Sequence, residues 1–135
     1  MYAFDFWVHP VYIPSALGPF TVELRPDSGE PDLRMVDEAK ALVSFMQKHP
    51  DKLQEKIYEH YQSFTAYSEW LADCNVPGNL ERNELMQYLG ARDIVIIREE
   101  DMQTINSCFY ISPRWDTEHA IYIKLDGINL EYCEP

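Results

Sequence analysis

The period of the apolar residues changes twice along this chain, and that double change restricts the fold more than any single motif does. Near the N-terminus Tyr2, Phe4, Phe6 and Val8 alternate with Ala3, Asp5, Trp7 and His9, a period of two that suits a strand with one face on a core. Pro10, Pro14, Gly18 and Pro19 punctuate the loop that follows, and Phe20, Val22 and Leu24 then alternate with Thr21, Glu23 and Arg25. These two stretches are expected to pair as an antiparallel hairpin with a long connection. After the turn-rich run from Pro26 to Pro31 the period becomes helical: Leu33, Val36, Ala39, Leu42 or Val43, and Met46 recur every three to four residues, with Asp32 placed to cap them. His49 precedes Pro50, so one helix should stop there and the next should open with proline at its first position. Leu53, Ile57, Tyr61, Phe64, Tyr67 or Ser68, and Leu71 extend the stripe through a long second helix antiparallel to the first.

Pro77-Gly78 then marks a loop, and Asn79 is placed to cap a short third helix ending at Leu89 with Gly90 just beyond. From Arg92 the period returns to two. Ile94 to Ile97 are all apolar, which predicts a central strand covered on both faces. Cys108 to Ser112 is a further strand, and Ile121 to Leu125 is joined to Ile128 to Tyr132 by Asp126-Gly127, a tight hairpin signal. The order predicts an α+β fold: a mainly antiparallel sheet of about five to six strands with three helices, a long helical pair and a short third helix, on one face. Residues 1–135 are expected to form a single domain, since two halves would each be too small for a core.

Charge narrows the function. Lys and Arg number 11 against 23 Asp and Glu, a net charge of −12. The first 90 residues hold 7 basic and 14 acidic side chains and the last 45 hold 4 and 9, so acidity is denser toward the C-terminus. No cluster of Lys and Arg is present to release counterions from a phosphate backbone, which argues against nucleic acid, and the same sign argues against an anionic membrane surface. A basic protein partner steered by long-range attraction fits; solubility alone would also account for the charge. The N-terminus lacks the basic and apolar regions of an export signal, and the longest aliphatic run is Ile94 to Ile97, too short to span a membrane. Cys74, Cys108 and Cys133 show no metal-ligand spacing and suit reduced thiols in a cytoplasm; no cofactor and no metal is expected.

The densest polar constellation is Trp115-Asp116-Thr117-Glu118-His119. Two carboxylates and an imidazole suit a divalent ion or a general base, which would make the chain a small metal-dependent hydrolase using Asp116, Glu118 and His119. Neighbours on one turn seldom converge, and His9, His49 and His60 stand isolated in sequence. The structural alternative has Asp116 accepting the N–H groups of Glu118 or His119, Trp115 plugging the end of the core and His119 bonding a nearby carbonyl. Glu99, Glu100 and Asp101 form an acidic lip for a partner or a solvated hairpin loop. Tyr58 and Trp70 lie off the helical stripe as interface anchors or as further core, the latter preferred.

Asn79-Leu80, Glu84-Leu85, Tyr88-Leu89, the strand Ile94 to Ile97, Tyr110, Pro113 and Trp115-Asp116-x-Glu118-His119 resemble a family of small uncharacterised bacterial domains with a W-D-x-E-H-G motif. The sequence departs from that pattern at Ala120, where the family has glycine. Small acidic domains of this kind are similar to immunity proteins made against toxins. That likeness together with the acidic balance leads to the expectation of a non-catalytic cytoplasmic binding protein that neutralises a basic toxin domain, possibly a nuclease, with Glu99, Glu100, Asp101, Asp116 and Glu118 as the binding residues. A metal-dependent hydrolase, or a housekeeping interaction module, is the alternative. An exposed sheet edge would support a homodimer, although nothing in the sequence selects one.

Overall fold

The computed structural model describes residues 17–26, 29–99, 101 and 103–133. The expected strand from Tyr2 to Val8 lies outside them, and so does its expected pairing with the stretch from Phe20 to Leu24, which is itself described.

Among the described residues five strands form one sheet in the order β1 (Thr21–Arg25), β2 (Leu89–Arg98), β3 (Ile105–Pro113), β4 (Ile121–Asp126), β5 (Asn129–Tyr132). All neighbours are antiparallel except β1 and β2, which run parallel with Val22 opposite Ile94 and Leu24 opposite Ile96. A parallel pair needs a long crossover, and here it is the whole helical layer: α1 (Leu33–Lys48), α2 (Pro50–Gln62), α3 (Ser68–Asp73) and a 3-10 helix (Arg82–Tyr88).

Asp32 caps α1 through its side chain, which accepts the Met35 N–H at 3.1 Å. At about 100° per residue, Met35, Ala39, Leu42 and Met46 lie roughly opposite Leu33 around the helix. Leu33, counted on the apolar stripe from sequence, is accordingly 69% exposed, while Met35, Val36, Ala39, Leu42, Phe45 and Met46 are buried. The junction at His49-Pro50 is as expected, with proline in the first turn of α2.

The long second helix is a correction: it stops at Gln62 and restarts at Ser68. The Ser63 hydroxyl donates to the His60 carbonyl at 2.6 Å and the Thr65 hydroxyl to Gln62 at 2.8 Å, so side chains take up the terminal carbonyls and the chain turns. Tyr67 consequently points to solvent and Leu71 into the core. The third helix is also corrected. It is a 3-10 helix whose cap is Glu81, reciprocally bonded with Glu84 in a capping box, rather than Asn79. Gly90 belongs to β2 and does not terminate the helix.

One core joins the layers. Val22, Leu24, Ile94, Ile96, Phe109, Ile111, Ile121 and Ile123 face the buried residues of α1 and α2. Strand alternation puts Val95, Ile97, Cys108, Tyr110 and Tyr122 on the other side, and the helices' buried apolar residues join the cluster on the first. The described helices cover Ile94 and Ile96, and Val95 on the opposite side is buried as well, so β2 is covered on both faces from Ile94 to Ile96, as expected of a central strand. Between β4 and β5, Asp126 pairs with Asn129, which makes Gly127-Ile128 the turn, one residue later than the Asp-Gly signal suggests. Gly127 has φ +66°, as the first central position of a primed hairpin turn requires.

The turn at Asp101 yields a pH prediction. Asp101 accepts the N–H groups of Gln103 and Thr104 and the Thr104 hydroxyl, and these bonds, the hydroxyl first, hold its carboxyl down to about 2. A folded value below the unfolded one means the ionised turn stabilises the hairpin fully above about pH 4 and loses that contribution as the pH falls through about 2. A carboxyl carbon titration by NMR should place Asp101 well below the ordinary carboxylate range, at about 2; an ordinary aspartate value would refute the bonding.

Candidate functional site

The Trp115 to His119 segment forms the corner between β3 and β4. Trp115 is fully buried and meets the Tyr61 ring edge-on at 5.3 Å. Its indole N–H donates to His60 Nδ1 at 3.0 Å, and its carbonyl accepts the Trp70 indole N–H at 2.6 Å. Tyr58, the other off-stripe aromatic, donates to the Leu80 carbonyl at 2.8 Å and packs against the core, as does Trp70. Both follow the core reading.

Asp116 is held by this anchor. Its Oδ1 accepts the N–H of Glu118 and of His119, each at 3.1 Å, closing the turn. His119 differs from expectation: among the described residues it reaches no carbonyl, its side chain stands 75% exposed, and its Nδ1 lies 3.5 Å from Asp116 Oδ1. Replacing Asp116 by alanine should therefore free two amides and cost about 1–2 kcal/mol, whereas asparagine keeps an acceptor oxygen and should cost less. Hydrogen exchange at Glu118 and His119 measures this directly; unchanged exchange in D116A would contradict the turn assignment.

His119 stands on a ridge between two hollows. One, of about 560 Å³, is bounded by Tyr110, Ser112, Arg114, Asp116 and Glu118; the other, of about 420 Å³, by His60, Glu118, Tyr122, Tyr132 and Cys133. His60, which looks isolated in sequence, sits half-buried against Trp115, Phe64 and Tyr132. Burial pushes its pKa below the ordinary histidine value, against the opposing pull of the Asp116 carboxylate. Because Nδ1 accepts the indole N–H, the neutral ring carries its proton on Nε2. The signal available beforehand was spacing: His60 lies four residues before Phe64 on the helix that buries Tyr61.

The sequence-derived acidic residues fall into two groups. Asp116 and Glu118 lie beyond the C-terminal end of β3, while Glu99 and Asp101 lie before its start; the nine residues of β3 at about 3.4 Å each separate them by roughly 30 Å. Glu99 accepts from the Asn106 side-chain amide. Glu100 lies outside the described residues. Among the described residues no group of three or more His, Cys, Asp or Glu side chains is arranged to hold a metal ion.

A family model for a domain of unknown function, DUF6985, matches residues 2–134. The chain belongs to the DUF6985 family. No curated protein and no solved structure matches it. In this DUF6985 member no described helix is long and apolar enough to cross a membrane. Burial together with the Cys133 thiol pushes the Cys108 thiol up to about 11, far from a reactive thiolate.

Proposed function

We propose that this DUF6985 member is a non-catalytic cytoplasmic binding protein of bacterial origin, an immunity protein that neutralises a basic toxin domain. The observation that carries the reading is the placement of carboxylates at both ends of β3, flanking a side of the sheet that lacks a described helix. A partner spanning that side would meet Glu99 and Asp101 at one end and Glu118 at the other, and Glu100 belongs to the same loop by sequence. Asp116 serves the interface by setting the turn that presents Glu118, because its own carboxylate is committed to backbone amides. That commitment is also why the binding reading is favoured over a hydrolase built on Asp116, Glu118 and His119. With a net charge of −12, encounter with a basic domain would be fast, and aromatic contacts would slow dissociation.

The test is co-expression with the protein encoded beside this chain in its own genome. Restored growth together with a complex that survives gel filtration is the expected result. No protection and no complex would refute the proposal and leave a housekeeping interaction module as the reading.

A further inference from the structure

We propose that His60 is a pH-sensitive latch on the β3–β4 corner: while its ring is neutral it holds Trp115 in place, and on protonation it releases the corner that carries Asp116 and Glu118. The latch goes beyond the binding function proposed above and does not depend on a partner. Its geometry is one side-chain hydrogen bond between distant parts of the chain. The Trp115 indole N–H donates to His60 Nδ1 at 3.0 Å, and among the described residues it has no second acceptor. The indole is fully buried, so water does not stand in for a lost acceptor. An imidazole accepts through the nitrogen that carries no proton, and the imidazolium has none. Protonation therefore sets two N–H groups against each other at hydrogen-bonding distance and leaves a buried donor unpaired. The proton has a way in, because His60 is half-buried and borders the smaller of the two hollows beside His119.

Several titratable groups surround the ring. On its own helix Lys56 Nζ lies 4.4 Å from the centre of the Tyr132 ring and 3.9 Å from Glu59. From β5 come Tyr132, its ring 6.0 Å from that of His60, and Cys133; from β4 comes Tyr122; from the corner come Asp116, Glu118 and His119. α3 contributes Trp70, whose indole N–H holds the Trp115 carbonyl. Burial disfavours the charged ring, and the Asp116 carboxylate opposes burial only in part, so the folded pKa lies below the ordinary value. An unfolded histidine takes up its proton at about pH 6.5, before the folded one does. The stability that the neutral ring supplies is thus fully present above that pH and is lost as the pH falls through the lower, folded value. Trp115 anchors the turn in which Asp116 accepts the Glu118 and His119 amides, so those two bonds loosen with the latch.

NMR of the full chain from about pH 8 to about pH 5, above the ordinary carboxylate range, tests the latch. The Trp115 indole N–H signal should shift with the same midpoint as the His60 ring, and the protection factors of the Glu118 and His119 amides should fall several-fold through that midpoint. His60→Asn sets an amide oxygen close to the place of Nδ1 and does not titrate, so it should keep the neutral-pH protection and abolish both transitions. His119→Asn should leave both transitions in place. An indole signal that stays still while His60 titrates overturns the latch, and this result comes from the parent chain whether or not the asparagine variant folds. An indole signal that follows the His119 midpoint instead, amide protection unchanged through the His60 midpoint, or transitions that survive in H60N each overturn it as well.

Discussion

Replacing Trp115 by alanine should lower stability by about 3–5 kcal/mol, the range for removing a large buried aromatic side chain. The indole is fully buried, meets Tyr61 edge-on and supplies the hydrogen bond that satisfies His60 Nδ1. Its loss opens a cavity and leaves a half-buried imidazole nitrogen without its donor. A fold of this size has about 5–15 kcal/mol in total, so the melting temperature should drop on the order of 10 °C or more. Phenylalanine at the same position keeps the ring but not the N–H, and should cost about 1–2 kcal/mol while moving the His60 titration toward the ordinary histidine range. Urea denaturation and a histidine NMR titration measure both effects. An alanine variant within about 1 kcal/mol of the parent would mean that Trp115 is not the anchor of the β3–β4 corner.

The second large effect concerns Asp32 and Arg98. Asp32 caps α1 and also pairs with Arg98 at the end of β2, so one carboxylate ties the helical layer to the sheet. The Arg98 side chain is only 11% exposed, and its Nε has no hydrogen-bond acceptor among the described residues. Alanine at Asp32 removes the cap and strands that charge, and should cost about 2–3 kcal/mol, less than a fully enclosed pair would because Asp32 itself is partly in water. Methionine at Arg98 removes the charge and keeps the bulk, and should cost about 1 kcal/mol or less. The asymmetry between D32A and R98M is the informative quantity, read from denaturation midpoints. An R98M cost equal to that of D32A would contradict both the cap and the stranded charge as the source of the larger loss.

How much of this was legible in the residues depends on how local the cause is. Asp32 as a cap and Pro50 as the opening of α2 are set by neighbouring backbone groups, and both stand where the sequence places them. So does Asp116, whose bonds reach only two and three residues along the chain. The break after Gln62 was written in Ser63 and Thr65, but an apolar stripe running to Leu71 outweighed two hydroxyls. The hairpin turn shifted by one residue because strand register, set by pairing Leu125 with Leu130, fixes which residues form the turn. Partners far apart in sequence left no such mark. The parallel pairing of β1 with β2 joins residues separated by the whole helical layer, and His60 meets Trp115 across 55 positions. Nor did the sequence disclose that the acidic residues split between opposite ends of β3, since that depends on the length and direction of one strand.

On the proposed function, a basic partner reads the acidic residues at the two ends of β3. The most direct test is the association rate constant with the neighbouring gene's product, followed by stopped flow as salt is raised from about 0.05 to about 0.5 M, a range over which screening shortens to within a few ångströms. Electrostatic steering predicts a fall of about tenfold or more in association with dissociation nearly constant. An association rate indifferent to salt would contradict the claim.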